Sequence, residues 1–144
     1  GQGIASIVST TGKPDGHLVL RGGSRGTNYH LDAVQESAAA LAAAGLPDRL
    51  MVDCSHGNSN KDYRRQGEVL EAVAAQVRQG SDQVMGVMLE SHLVEGNQKL
   101  NVDRTAMTYG QSITDACISI DTTERLLEQL AAAVAAGRPL ALSR

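Results

Sequence analysis

Phenylalanine and tryptophan are absent from this chain, and its aromatic residues are three tyrosines, Tyr29, Tyr63 and Tyr109. A core must therefore be built from Leu, Val, Ile, Met and Ala, small aliphatics that suit helices laid on a sheet. The same lack removes the stacking platforms on which single-stranded nucleic acids are held. Positive charge is scarce as well: 13 Lys and Arg against 16 Asp and Glu give a net charge of -3, so there is no broad basic field for nucleic acid. Any anion has to be bound locally.

Cysteine is limited to Cys54 and Cys117, too few for a disulfide framework, and neither has a second cysteine at zinc-knuckle spacing. Reduced, buried thiols are the expectation. The longest uncharged apolar stretch, residues 130–137, is too short and too Ala-rich to cross a bilayer, and the first residues lack a basic segment followed by a hydrophobic one. The expected setting is cytoplasmic, with no membrane partner.

What is present is a weak strand-helix repeat. Residues 3–11 are rich in Ile, Val, Ser and Thr and end at a dense turn signal, which predicts one strand of a hairpin. Strands are predicted over 17–20, 50–54 and 84–89. Helices are predicted over 31–44, with Val34, Ala38, Leu41 and Ala42 on its apolar stripe, and over 61–78, with Val69, Leu70, Val73 and Val77. Gly45 with Pro47, and Gly80, mark their ends. A long polar excursion over 90–119 precedes a last helix starting at Asp121 or Thr122, with Asp121 and Glu124 spaced like a capping pair and Leu126, Leu127, Leu130 and Val134 as its stripe. Three strand-helix units predict a parallel sheet with right-handed crossovers, either a small open sheet or a piece of a barrel, since an eight-unit barrel takes about 250 residues.

Polar clusters follow the apolar runs, where parallel strands release the chain into loops. Strand alternation puts Val52, Cys54 and His56 on one face and Asp53 and Ser55 on the other, so His56 emerges at the loop end. An imidazole suits borderline divalent metals, while the carboxylates of Glu90 and Asp115 favour harder ions such as Mn²⁺. The plainer reading is that His56 caps a loop and Glu90 faces solvent. Arg21 before Gly22 and Gly23 reads as a phosphate contact, a guanidinium beside backbone N–H groups that glycine leaves approachable, with Arg25 as a second charge; an ordinary surface turn is the alternative. The run Lys61 to Arg65 could steer anions into the cleft, but its plainer reading is a solvated first helical turn. His92, two residues beyond Glu90, is a candidate partner for a metal ligand.

The segments His-Leu-Val-Leu-Arg-Gly-Gly, Met-Val-Asp-Cys-Ser-His-Gly-Asn-Ser-Asn-Lys, Gly-Val-Met-Leu-Glu-Ser-His-Leu-Val-Glu-Gly-Asn-Gln and Tyr-Gly-Gln-Ser-Ile-Thr-Asp-Ala-Cys, in this order, resemble the C-terminal part of class I 3-deoxy-D-arabino-heptulosonate 7-phosphate (DAHP) synthases. The resemblance implies an α/β fold, the C-terminal part of a (β/α)₈ TIM barrel. About three βα units over 17–144 would follow a hairpin strand at 1–12 that belongs to an insertion helping to form the inhibitor site and subunit contacts of relatives. It implies an enzyme that condenses phosphoenolpyruvate with erythrose 4-phosphate to give DAHP and phosphate, at the entry to the shikimate pathway. His56, Glu90 and Asp115 match three protein ligands of a divalent metal ion, with Mn²⁺, Fe²⁺, Co²⁺ and Zn²⁺ as the candidates. Arg21 matches an arginine that grips the phosphate of phosphoenolpyruvate, and His56 is also a candidate for positioning or deprotonating the attacking water. The fourth ligand of relatives, a cysteine on the first barrel strand, and further substrate lysines and arginines have no match here. Little or no activity and weak metal binding from the 144 residues alone, and a homo-oligomer covering open strand edges, are therefore expected. Two rivals stand beside this reading: a self-contained metal-binding hydrolase or aldolase with Cys54 as an added ligand, and a noncatalytic interaction fragment.

Overall fold

The computed structural model describes residues 7, 9–13 and 15–137. Its elements run β1 (Leu18–Leu20), α1 (Leu31–Ala43), β2 (Leu50–Asp53), α2 (Gln66–Arg78), β3 (Val84–Met88), β4 (Ser91–His92), β5 (Val94–Asn97), β6 (Gln111–Ser112), β7 (Ile118–Ser119) and α3 (Ile120–Gly137). Most of the hairpin strand expected over 3–11 lies outside the described residues. β1, β2 and β3 form one parallel sheet in chain order, with Leu18 opposite Leu50 and Val52 opposite Val87. Short apolar strands separated by amphipathic helices leave the chain this arrangement, because each helix covers a face of the sheet as it returns to start the next parallel strand.

The core lies between the sheet and α2. Leu50 and Val52 of β2 cluster with Val69, Leu70 and Val73 of α2, all fully or almost fully buried, and Val34 of α1 and Leu126 of α3 belong to the same cluster. Each such side chain contributes about 1.5–3 kcal/mol relative to exposure. Gly45 and Gly80 take left-handed conformations just beyond α1 and α2, as the sequence predicts.

Three expectations need correction. The predicted helical start at Lys61 gives way to turns and a 3₁₀ turn over Tyr63–Arg65, whose entry is capped by Asp62 accepting the Arg64 N–H, and α2 begins only at Gln66. The last helix starts at Ile120, and its cap is Ser119, whose Oγ accepts the Thr122 N–H, not the pair Asp121 and Glu124. Its buried face is Thr123, Leu126 and Ala133, with Leu130 half-buried, whereas Leu127 and Val134 are exposed. This face meets α2: Gly67 packs under Leu126, and a side chain at Gly137 would run into the Val77 carbonyl. The excursion over 90–119 is itself ordered by two short parallel ladders, β4 with β7 and β5 with β6.

At the ends of β1 and β2 the backbone crosses itself. Gly22 has a φ of 79°, and a Cβ on it would lie 2.6 Å from the Gly57 carbonyl carbon, so only glycine fits both the conformation and the space. The Gly57 N–H donates to the Arg21 carbonyl at 3.0 Å. Fully buried Asn58 fastens the crossing, donating from Nδ2 to the carbonyls of Leu20 and Asp53 while its Oδ1 accepts the Asn28 N–H.

Candidate metal centre

β2 delivers the first members of the site. Asp53, its last residue, is 2% exposed; Oδ1 accepts the Ser55 N–H at 2.8 Å and Oδ2 accepts from His56 Nδ1 at 2.7 Å. Strand alternation predicts His56 on the face of Cys54, but His56 has a φ of 48°, and this left-handed turn brings its ring back onto Asp53. With Nδ1 donating to Asp53, a neutral ring carries only a lone pair at Nε2. That lone pair faces Glu90 Oε1 at 3.3 Å. Two acceptors so placed need a proton or a cation between them.

Glu90 lies just past β3 and is fixed at both main chain and side chain. Its N–H donates to Gln66 Oε1 at 2.8 Å, its carbonyl accepts from Gln66 Nε2 at 3.1 Å, and its Oε2 accepts from Ser55 Oγ at 2.7 Å. Gln66 is fully buried at the first turn of α2, so a helix docked on the sheet sets where Glu90 leaves its strand. Asp115 arrives on the loop between β6 and β7. Two residues later Cys117 exchanges both backbone hydrogen bonds with Gly96, and its Sγ–H donates to the Asp115 carbonyl at 3.5 Å. Burial, with the nearby Glu90 and Asp115 charges as smaller contributors, pushes the Cys117 thiol up and keeps it a donor.

Ligand atoms of His56, Glu90 and Asp115 lie within 4.8 Å of one another. They open on a cleft of about 140 Å³ lined also by Ser55, Lys61, Tyr63 and Ala116. One imidazole nitrogen and two carboxylates are a donor set for a divalent first-row ion, and the Asp53 hydrogen bond orients the imidazole as such sites require. The residues fit the ion.

Arg21, the other residue singled out from the sequence, does not line this cleft. It is exposed at the end of β1, joined to the His56 loop through its carbonyl bond to Gly57. The expected anion loop also changes meaning: the Gly22 N–H donates to Asn28 Oδ1 at 2.7 Å and the Gly23 N–H to the Gly26 carbonyl at 2.9 Å, so both are engaged. His92 makes no hydrogen bond to Glu90; its Nδ1 accepts the Leu93 N–H instead. Cys54 sits in the core with its thiol pushed up to about 12, by burial first and by the Asp53 charge second. Cys54 is neither among the converging ligand groups nor on the cleft wall, and the hydrolase reading that enlists it loses its support. Asp53, Ser55 and Gln66 join the site unannounced by spacing, whereas Lys61 and Tyr63 come from the run for which anion steering is the alternative reading. The one signal for Asp53 and Ser55 was their presence in the His56 segment.

Parallel strands whose carboxyl ends carry a nitrogen and oxygen donor set make this an α/β protein with a candidate divalent-cation site. The sequence matches the DAHP synthetase I family over residues 2–128, and the chain belongs to that family. It is 52% identical over 136 residues to a phospho-2-dehydro-3-deoxyheptonate aldolase of Haemophilus influenzae, an alignment covering 94% of this chain and 37% of the relative. Against the Tyr-sensitive phospho-2-dehydro-3-deoxyheptonate aldolase of Escherichia coli K12, identity is 48% over 128 residues, 89% of this chain and 36% of the relative. The solved structure of a phospho-2-dehydro-3-deoxyheptonate aldolase from Francisella tularensis superposes with a TM-score of 0.83 at 42% identity, covering 93% of this chain and 38% of that one. The chain thus spans a little over a third of the length of these relatives.

Proposed function

We propose that this chain carries the metal-holding part of a DAHP synthase, the enzyme that joins phosphoenolpyruvate to erythrose 4-phosphate and releases phosphate, and that its sheet is part of a closed (β/α)₈ barrel. The observation that carries the reading is the convergence of His56, Glu90 and Asp115 from three separate loops, in a chain of this family. Mn²⁺, Fe²⁺, Co²⁺ or Zn²⁺ suits the donors. When bound, the ion supplies Lewis acidity toward the aldehyde oxygen of erythrose 4-phosphate.

The chain's own groups hold and orient. His56 offers Nε2 because Asp53 occupies Nδ1, and this bears on its second expected role: a ring with one nitrogen on a metal and the other donating to Asp53 has no free lone pair with which to deprotonate water. The metal-ligand role is therefore the one proposed for His56. Ser55 and Gln66 fix Glu90, so its carboxylate does not have to reorganise when charge develops nearby. Arg21 leaves the same rim and is proposed to grip the phosphate of phosphoenolpyruvate. Phosphoenolpyruvate brings its C3 as nucleophile, and close placement of the two substrates supplies the proximity the condensation needs.

Mn²⁺ titration followed by electron paramagnetic resonance tests the reading. Saturable uptake by the wild type that is lost in His56→Ala is expected, and equal uptake by both would overturn it. With both substrates the chain alone is expected to release little phosphate, because three ligands and one arginine leave the two pockets incomplete. The proposed partner in solution is a second copy, paired along an unbonded strand of the sheet.

A further inference from the structure

We infer that Lys61 is the anion-holding residue of the cleft, placing a phosphate or carboxylate group of the substrate beside the bound cation; this rests on the metal-site reading above. Three observations converge on it. Lys61 lines the cleft together with His56, Glu90 and Asp115, and it is the one lysine or arginine among the residues lining it. It forms no ion pair with a carboxylate among the described residues, although two carboxylates share the cleft. Its backbone is also strained: Asn60 and Lys61 have φ of 53° and 62°, and the Lys61 N–H donates to the His56 carbonyl at 2.8 Å. Consecutive non-glycine residues in the left-handed region persist where the surroundings over-determine them, and such strain gathers at functional sites. Here it turns the chain so that the residue five places after His56 returns to the same cleft.

Charge balance gives the arrangement its purpose. Two carboxylates neutralise a divalent ion, so the loaded centre has no surplus charge for an anion, and a chain with a net charge of -3 offers no general attraction. An ammonium on a flexible stem at the cleft wall supplies the missing charge and forms charge-assisted hydrogen bonds to either kind of oxyanion.

The test uses the wild type, Lys61→Met, Lys61→Arg and Lys61→Gly, the last also relieving the left-handed strain. Mn²⁺ affinity is read by electron paramagnetic resonance, and then inorganic phosphate and pyruvate are titrated separately into each Mn²⁺-loaded protein by calorimetry. Expected are Mn²⁺ affinities in Lys61→Met and Lys61→Gly equal to or above that of the wild type, since a positive charge has been removed. Expected too is a loss of about ten- to a hundredfold in affinity for one anion, with Lys61→Arg retaining most of it. Loss confined to phosphate assigns Lys61 to a phosphoryl group; loss confined to pyruvate assigns it to a carboxylate. Mn²⁺ uptake by the wild type with neither anion bound, or anion affinities unchanged in Lys61→Met and Lys61→Gly, would overturn the role of Lys61 while leaving the metal site intact. Absence of Mn²⁺ uptake by the wild type would overturn the metal-site reading and this inference with it.

Discussion

Asp53 decides which nitrogen His56 presents, and a single atom exchange exposes the dependence. In Asp53→Asn, one side-chain atom still accepts the Ser55 N–H, but the other becomes an NH₂ donor pointed at Nδ1, which favours the tautomer with its proton on Nε2. Mn²⁺ affinity is expected to fall about ten- to a hundredfold with the fold intact, measured by calorimetry and circular dichroism. Cys54 carries a prediction of different kind. Its thiol moves from 9.0 unfolded to about 12 folded, so the folded state holds the proton more tightly. The associated stability is complete below pH 9.0 and is lost progressively as pH rises toward about 12. Urea midpoints should fall more steeply over this alkaline range for the wild type than for Cys54→Ala. The fate of Cys54 was readable from its place in an apolar strand. The pairing of His56 with Asp53 was not, because alternation assumes an extended chain and no glycine marks the left-handed turn at His56.

At the level of elements, the helices' register rather than their existence escaped the sequence. In α3 the pattern Leu126, Leu127, Leu130, Val134 is as good a stripe as the true one, because Thr123 and Ala133, though buried, carry little hydrophobic signal. Which stripe is buried depends on the close approach that Gly67 and Gly137 allow, a property of two helices together. Leu126→Ala is expected to cost about 2–4 kcal/mol and Leu127→Ala less than about 1 kcal/mol, measured by chemical denaturation. Equal losses would mean that α3 sits differently on α2. Gln66 shows the reverse case: a polar residue at a helix start reads as solvated, yet it is fully buried because its amide satisfies both main-chain groups of Glu90.

Across the molecule, the parallel sheet and the strand ends that carry His56 and Glu90 were legible, since short strands of three to five residues alternating with amphipathic helices admit few topologies. The ladders within 90–119 were not, because two-residue strands of polar sequence carry no period. The sheet's outer strands β1 and β3 each bond to β2 alone among the described residues, and Met85 and Met88 on β3 are 48% and 40% exposed. Such edges pair with other chains unless charged or covered. Sedimentation velocity is expected to show dimers or larger species whose proportion rises with protein concentration; a single monomer boundary over a wide concentration range would contradict this.

The crossing of Gly22 over Gly57 has a mechanical corollary. Backbone lies against backbone there with no side chain to act as a cushion, and Asn58 is riveted to both strand ends beneath it. The backbone arms that bear Arg21 and His56 are consequently held in a fixed spacing at the strand ends. A bulky graft at either glycine would unseat both at once.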